Sequence, residues 1–110
     1  MIDDTVSKLE AQLRDANNLA PERKAELLKL LGRLKAEVEV LSATHREDAQ
    51  SIARFTELSA LEATRQEQNP RLRELSIEGL KSSVSGFEES HPKLVQVVNS
   101  ISTALSNLGI

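Results

Sequence analysis

Apolar residues recur at intervals of three and four along most of the chain, which is the spacing of one face of an α-helix. A first helix, with Asp3 or Asp4 as its N-cap and Asn17-Asn18 at its end, carries the stripe Ile2, Val6, Leu9, Leu13 and Ala16. A second helix begins near Pro21 and carries Leu27, Leu31, Leu34, Val38 and Leu41. Because only a short link joins them, the pattern predicts an antiparallel hairpin.

A polar interruption follows the second stripe, whose next two positions are His45 and Asp48. Thr44 and Glu47 have the spacing of a capping box, which predicts that a third helix begins here. Its buried side would be Ile52, Phe55, Leu58 and Leu61. One continuous helix over residues 21–68 is the alternative, because the heptad phase continues across the interruption. The polar positions favour a break at residues 42–46.

Two prolines divide the remainder of the chain. Asn69-Pro70 ends the third segment, and a fourth helix follows with Ile77, Leu80, Val84 and Phe87 on its buried side. Ser90-His91-Pro92 starts a fifth helix, with Leu94, Val98, Ile101, Leu105 and Leu108. Gly109 suits the left-handed residue that ends it, with Ile110 packed against Leu105. The prediction is an all-α bundle of about five helical segments, one domain over residues 1–110.

Composition argues against several classes of protein. The absence of Cys excludes disulfides, thiolate nucleophiles and zinc–thiolate sites. A net charge of −3 with both signs interspersed, and no Trp or Tyr, leaves no basic face and no stacking platform for nucleic acid. The chain shows no signal-peptide order and no apolar run near about 18 residues, so we expect a cytoplasmic protein without a membrane partner.

Glu88-x-x-His91 has the spacing that helical bundles use for metal ions. Such a site needs further ligands, but His45 has Ser42 rather than a glutamate three residues before it. Pro92 also draws His91 away from helical geometry. Glu88 and His91 are the metal candidates that we name, although we expect His91 to cap a helix instead.

No constellation of catalytic residues is recognisable in the sequence. His45 beside Glu47 and Asp48 comes nearest, but the segment has the composition of a solvated corner rather than a pocket with a positioned nucleophile. No glycine-rich loop is present to hold a phosphate. We therefore expect no enzymatic activity and no cofactor.

Two helices have unusual surfaces. From Pro92 onward Lys93 is the only charged residue, so the last helix has a neutral polar face, as expected at the centre of a bundle or against another chain. The fourth helix carries a seam of small residues, Ser76, Gly79, Ser83, Gly86 and Ser90. Each Gly costs about 1 kcal/mol of helix stability, which predicts close approach of another helix, in the same chain or in a homodimer. The candidate interface residues are Gly79, Ser83, Gly86, Leu94, Val98, Ile101 and Leu105.

A weak internal echo accompanies these features. Thr44-His45 and Ser90-His91 lie 46 residues apart, and Gln50 and Gln96 match at the same offset. One interpretation is a duplicated helix–corner–helix unit, and the other is chance agreement between two heptad stripes.

Two C-terminal segments resemble the signature of a family of small bacterial helical proteins, a domain of unknown function. They are Phe87-Glu88-Glu89-Ser90-His91-Pro92-Lys93-Leu94 and Ala104-Leu105-Ser106-Asn107-Leu108-Gly109-Ile110. Members tend to carry Phe-Glu-x-Ser-His-Pro-x-Leu and end in Ala-Leu-x-x-(Met/Leu)-Gly-Ile, and residues 21–41 resemble their second helix. The resemblance covers about the first 40 and last 40 residues and implies a bacterial, cytoplasmic protein with no assigned activity.

The sequence therefore predicts a non-catalytic interaction or scaffold module that self-associates or binds another helical protein. The first alternative is a bundle that holds a metal ion or a small apolar ligand in its core. A small hydrolase-type enzyme is the second alternative, and it has little support in the pattern.

Overall fold

The computed structural model describes residues 2–17 and 19–108, without the side chains of Ile2 and Asp3. Its elements are α1 (Ile2–Arg14), α2 (Pro21–Ser42), α3 (Arg46–Thr64), α4 (Pro70–Ser83) and α5 (Pro92–Leu108). This part of the chain contains no strand, which confirms the predicted all-α bundle. The helix end predicted at Gly109 and Ile110 lies outside the described residues. Helix α1 already includes Asp3 and Asp4, so the N-cap predicted there is wrong.

Helices α1 and α2 form the predicted antiparallel hairpin. The Lys24 ammonium donates to the carbonyl oxygens of Ala16 (2.5 Å) and Arg14 (3.2 Å), close to the link. Lys35, farther along α2, pairs with Glu10, which comes earlier in α1 (2.9 Å). Because the paired positions move in opposite directions along the two helices, the helices are antiparallel.

The chain breaks between α2 and α3, so the alternative of one helix over residues 21–68 is wrong. The amide of His45 donates to the Leu41 carbonyl (2.8 Å), and His45 itself has a non-helical φ of −134° and ψ of 66°. The predicted capping box is also wrong, because His45 is the N-cap and makes no capping hydrogen bond through its side chain. The Thr44 hydroxyl shares a 2.8 Å hydrogen bond with His45 Nδ1 instead.

Helix α3 packs against all four other helices. Its buried face consists mostly of small residues, Ala49, Ile52, Ala53, Thr56, Ser59, Ala60 and Ala63, and small side chains let neighbouring helices approach closely. Of the predicted buried side only Ile52 is buried, whereas Phe55, Leu58 and Leu61 are exposed. Residues spaced three apart are separated by about 300° around the helix, which is about 60° short of a full turn. A stripe with this strict spacing therefore winds around the helix instead of following one face.

The other helices bury the predicted residues around one core. Leu27, Leu31, Leu34, Val38 and Leu41 of α2 join Ile77, Leu80, Leu94, Val98, Ile101 and Leu105. Helix α4 ends at Ser83, so Val84 and Phe87 pack on the core from the turn that follows. In the described residues no helix has both the length and the apolar character that crossing a membrane requires.

Candidate functional site

Most of the large apolar side chains that are exposed lie on the outer side of α3 and α4. Among the described residues six large apolar side chains are exposed, and five of them belong to these two helices. We call this set the α3–α4 face, and its members are Phe55, Leu58, Leu61, Leu72 and Leu75, each 37 to 45% exposed. The sixth, Val40, stands on α2. Isolated exposed apolar residues are ordinary, whereas a contiguous group marks an interaction site.

A shallow groove of about 240 Å³ runs along this face between the two helices. It is lined by Phe55, Leu58, Glu62, Leu72, Leu75 and Ser76. Four of the six lining residues are large and apolar. The groove can therefore accept apolar side chains from a partner surface, with Glu62 at its edge as the charged group.

Local sequence features place α4 beside α3. Asn69 caps α4 by accepting a hydrogen bond from the Leu72 amide (3.1 Å), and Pro70 occupies the first turn. At Gly79 the two helices come close, since the ring of Phe55 fills the space that a side chain would need there. On another side of α4, Ile77 and Leu80 are buried in the core. This orientation leaves Leu72 and Leu75 on the outside.

Charges of both signs flank the face on α3. Arg54 precedes Phe55 and is exposed. Arg65 Nη1 donates to Glu62 Oε1 (2.8 Å), and the Glu62 side chain is 14% exposed. A partner that presents both signs at its rim would thus be matched here.

The interface residues predicted on α5 lie elsewhere. Leu94, Val98, Ile101 and Leu105 are buried in the core of the single chain. The neutral polar residues of α5 are on the surface, where Gln96, Asn99, Ser100, Thr103 and Asn107 form one wall of a 580 Å³ groove. Helix α2 forms the opposite wall with Glu26, Lys29, Leu30 and Arg33. The apolar side of α5 is thus packed within the bundle, but its neutral polar side is exposed, so the predicted central position of this helix is wrong.

The small-residue seam of α4 does not act as one unit. Gly79 packs under Phe55, and the Ser83 hydroxyl donates to the Leu80 carbonyl within its own helix (2.6 Å). Gly86 lies beyond the helix in a turn with a φ of 98°, a conformation that favours glycine. The structure therefore places Gly79 at a helix contact within the chain and Gly86 in a turn.

The two metal candidates serve local structure. Both carboxylate oxygens of Glu88 accept from the Gly86 amide (2.8 and 3.2 Å), and His91 Nδ1 shares a hydrogen bond with Ser90 Oγ (3.1 Å). In the described part of the chain, no group of three or more His, Cys, Asp or Glu side chains is arranged to hold a metal ion.

The two histidine corners share two local hydrogen bonds, and their imidazole rings lie close together. His45 and His91 each donate their amide to the carbonyl four residues earlier (2.8 Å in both cases). Each imidazole Nδ1 also bonds the preceding hydroxyl. The ring centroids are 6.3 Å apart, and both rings contact the edge or face of Phe87 (5.3 and 5.7 Å). The segments before the two corners differ, because residues 38–42 are helical and residues 84–88 are not, so the duplicated helix–corner–helix unit stays a prediction.

The hydrophobic pattern predicts Phe55, Leu58 and Leu61 in the core and gives no role to Leu72 and Leu75. Leu72 and Leu75 do not continue the helical spacing of the buried stripe that begins at Ile77. This difference is the one feature of the sequence that indicates their exposure. The closeness of α3 and α4 was not encoded in either stripe alone. It depends on the tertiary contact of Phe55 with Gly79.

Comparison with known proteins identifies a family that covers most of the chain. The family described as "Domain of unknown function (DUF4404)" matches residues 27–110. No curated protein and no solved structure matches the chain.

Proposed function

The chain belongs to the DUF4404 family, and we propose that it is a non-catalytic helical interaction module that self-associates through the α3–α4 face. The contiguous apolar surface formed by Phe55, Leu58, Leu61, Leu72 and Leu75 carries this proposal. A second copy of the chain is the occupant to which we commit. Another helical protein as the partner is the competing outcome of the test.

The size of the face suits a dimer contact. Helix α3 has 19 residues, which corresponds to about 28 Å. With packed helices 8–10 Å apart, two adjacent helices present a strip of roughly 600 Å², near the ~800 Å² that each partner contributes to a standard interface. Burying apolar surface is worth about 25 cal/mol per Å². The exposed leucines and Phe55 thus supply the main driving force for association.

The electrostatics also suit contact between identical chains. The net charge is −3, so long-range repulsion between two copies is small. Arg54 and Arg71 are exposed neighbours in sequence of Phe55 and Leu72, and Glu62 lines the groove. A surface with both signs can complement a copy of itself. From the C-terminal motif we further propose a bacterial origin and a cytoplasmic location.

Solution mass tests the proposal. Light scattering coupled to size exclusion, over a range of concentrations, is expected to show a dimer that dissociates on dilution. Detection uses refractive index because the chain has no Trp or Tyr. Leu58→Glu should raise the dissociation constant at least tenfold, because it places a carboxylate at the centre of the apolar contact.

Val40→Glu is the matched control, since Val40 is an exposed apolar residue of α2 outside the face (61% exposed). It should leave the mass unchanged, and far-UV circular dichroism should show both variants folded. A monomer at every concentration, or a Leu58→Glu variant that stays dimeric, would contradict the proposal.

A further inference from the structure

Apolar and charged residues of α3 are arranged symmetrically in sequence around Leu58. Phe55 and Leu61 lie three residues before and after it, and all three are exposed apolar side chains. Arg54 and Glu62 lie four residues before and after it and carry opposite charges. An interface with twofold symmetry places residue i opposite j and j opposite i. Two antiparallel copies of this helix would therefore match apolar with apolar and positive with negative.

We infer that the dimer has a twofold axis at Leu58, with α3 antiparallel to the same helix of the other copy. Arg54 of each copy then lies opposite the partner's Glu62, and these two residues set the register and select a like chain. This inference rests on the proposed self-association through the α3–α4 face and adds the residues that determine its specificity.

The geometry of an α-helix makes the pairing feasible. Four residues correspond to about 6 Å along the helix axis, so Arg54 and Glu62 lie equally far from Leu58 on opposite sides. Arg65 Nη1 donates to Oε1 of Glu62, and an ionised carboxylate can accept several hydrogen bonds, so a second donor can be accommodated. An antiparallel dimer contains two such pairs, related by the axis.

The charges also distinguish between orientations. If the two α3 helices were parallel and in register, Arg54 would lie beside Arg54 and Glu62 beside Glu62, with repulsion at both ends. Charged residues at the rim of an interface contribute to specificity more than to affinity. Arg54 and Glu62 therefore act by excluding the parallel register, while Leu58 and its apolar neighbours supply the binding energy.

Two charge-reversal variants test the pairing. The Arg54→Glu variant is acidic at both positions 54 and 62, and the Glu62→Arg variant is basic at both. Like charges then oppose each other in either homodimer, so each variant should self-associate several-fold more weakly than the wild type at low salt. Mixed one to one, the two variants should form a heterodimer in which both opposing pairs are attractive again. The measurement is light scattering of each variant alone and of the mixture at equal total concentration.

A single cysteine tests the position of the axis. The chain has no Cys, so Leu58→Cys introduces one thiol per copy, and under mild oxidation by a copper–phenanthroline catalyst it should give a disulfide-linked dimer. Val40→Cys, the matched control on α2, should crosslink at least five-fold more slowly.

A mixture that associates no better than its components, or a Leu58→Cys variant that crosslinks no faster than the control, overturns the inference. If the wild type is a dimer and the Leu58→Glu variant is a monomer in that case, the proposed function stands and only the antiparallel arrangement is wrong. If Leu58→Glu leaves the dimer intact, self-association through this face fails as well.

Discussion

The ring of Phe55 on α3 lies directly over Gly79 of α4. A Cβ atom at Gly79 would be 2.5 Å from Cε1 of the ring and 2.7 Å from Cδ1, well inside the distance at which carbon atoms repel. Phe55 is also part of the α3–α4 face. A glycine within a helix thus determines how one of the exposed apolar side chains is presented.

Gly79→Ala is expected to lower the free energy of unfolding by about 1 kcal/mol. Alanine favours the helix by about 1 kcal/mol over glycine, but overpacking against an aromatic ring costs typically about 1–3 kcal/mol. Urea denaturation followed by far-UV circular dichroism, at one fixed protein concentration, measures the change.

Gly79→Ala in a Phe55→Ala background tests whether contact with the Phe55 ring causes the destabilisation. Without the ring nothing opposes the helix propensity of alanine, so Gly79→Ala should now raise the free energy of unfolding by about 1 kcal/mol. Equal effects in the two backgrounds would show that the contact between Phe55 and Gly79 does not constrain this position.

Where large apolar residues recur at alternating intervals of three and four, the sequence predicts the fold well. The stripe of α2 from Leu27 to Leu41 is buried as expected, and so is that of α5 from Leu94 to Leu105. The break near His45 was also predictable, because a polar residue there occupies a stripe position.

Helix α3 shows why the candidate site was not predictable in the same way. Its buried residues include Ala53, Thr56 and Ser59, which are too small or too polar to stand out in a hydrophobic pattern. Its larger residues Phe55 and Leu58 are exposed. A pattern that assigns large apolar residues to the core fails where they lie on the surface, since only the position of the neighbouring helices distinguishes the two cases.

Ser102→Ala is expected to stabilise the protein. Ser102 is buried in α5, and its hydroxyl is the one fully buried side-chain polar atom in the described residues that has no hydrogen-bond partner. Removing an unsatisfied buried hydroxyl recovers a desolvation cost of about 1–3 kcal/mol, and alanine adds helix propensity. The free energy of unfolding should rise by about 1 kcal/mol.

Ser59→Ala provides the matched control for this substitution. Ser59 is equally buried in a helix, but its hydroxyl donates to the Thr56 carbonyl (3.1 Å). The loss of this bond offsets the gain in helix propensity, so the change should be near zero or destabilising. If the two alanine variants were equally stabilised, the unsatisfied hydroxyl of Ser102 would not be the reason.

The ion pair between Glu10 and Lys35 is expected to stabilise the packing of α1 against α2. Glu10 is only 7% exposed, and its carboxylate accepts a 2.9 Å hydrogen bond from the Lys35 ammonium. Lys35→Met keeps most of the aliphatic stem but leaves the carboxylate without this partner, so it should destabilise the protein by about 1 kcal/mol.

A double-mutant cycle with Glu10→Gln isolates the pair. Lys35→Met should cost less in the Glu10→Gln background, because a neutral amide requires less compensation than a charge. Identical costs in both backgrounds would assign the effect of Lys35 to its packing rather than to the ion pair.

The rings of His45, Phe87 and His91 are expected to stabilise the end of the bundle by mutual packing rather than by binding a metal ion. Edge-to-face ring contacts are worth about 0.5–1.5 kcal/mol. His45→Ala and His91→Ala should therefore each lower the free energy of unfolding by about 0.5–1 kcal/mol, and the loss should shrink in a Phe87→Leu background. Self-association should be unchanged, because His45 lies about 15 Å along α3 from Phe55.

Zinc titration of the wild type separates packing from metal binding. If the histidines only pack against Phe87, a stoichiometric excess of Zn²⁺ should leave the melting temperature of the wild type and of both alanine variants unchanged. A metal site would instead raise the melting temperature of the wild type with added Zn²⁺. That rise would disappear in His45→Ala and His91→Ala, and it would show that the two corners hold a ligand despite the absence of a third coordinating side chain among the described residues.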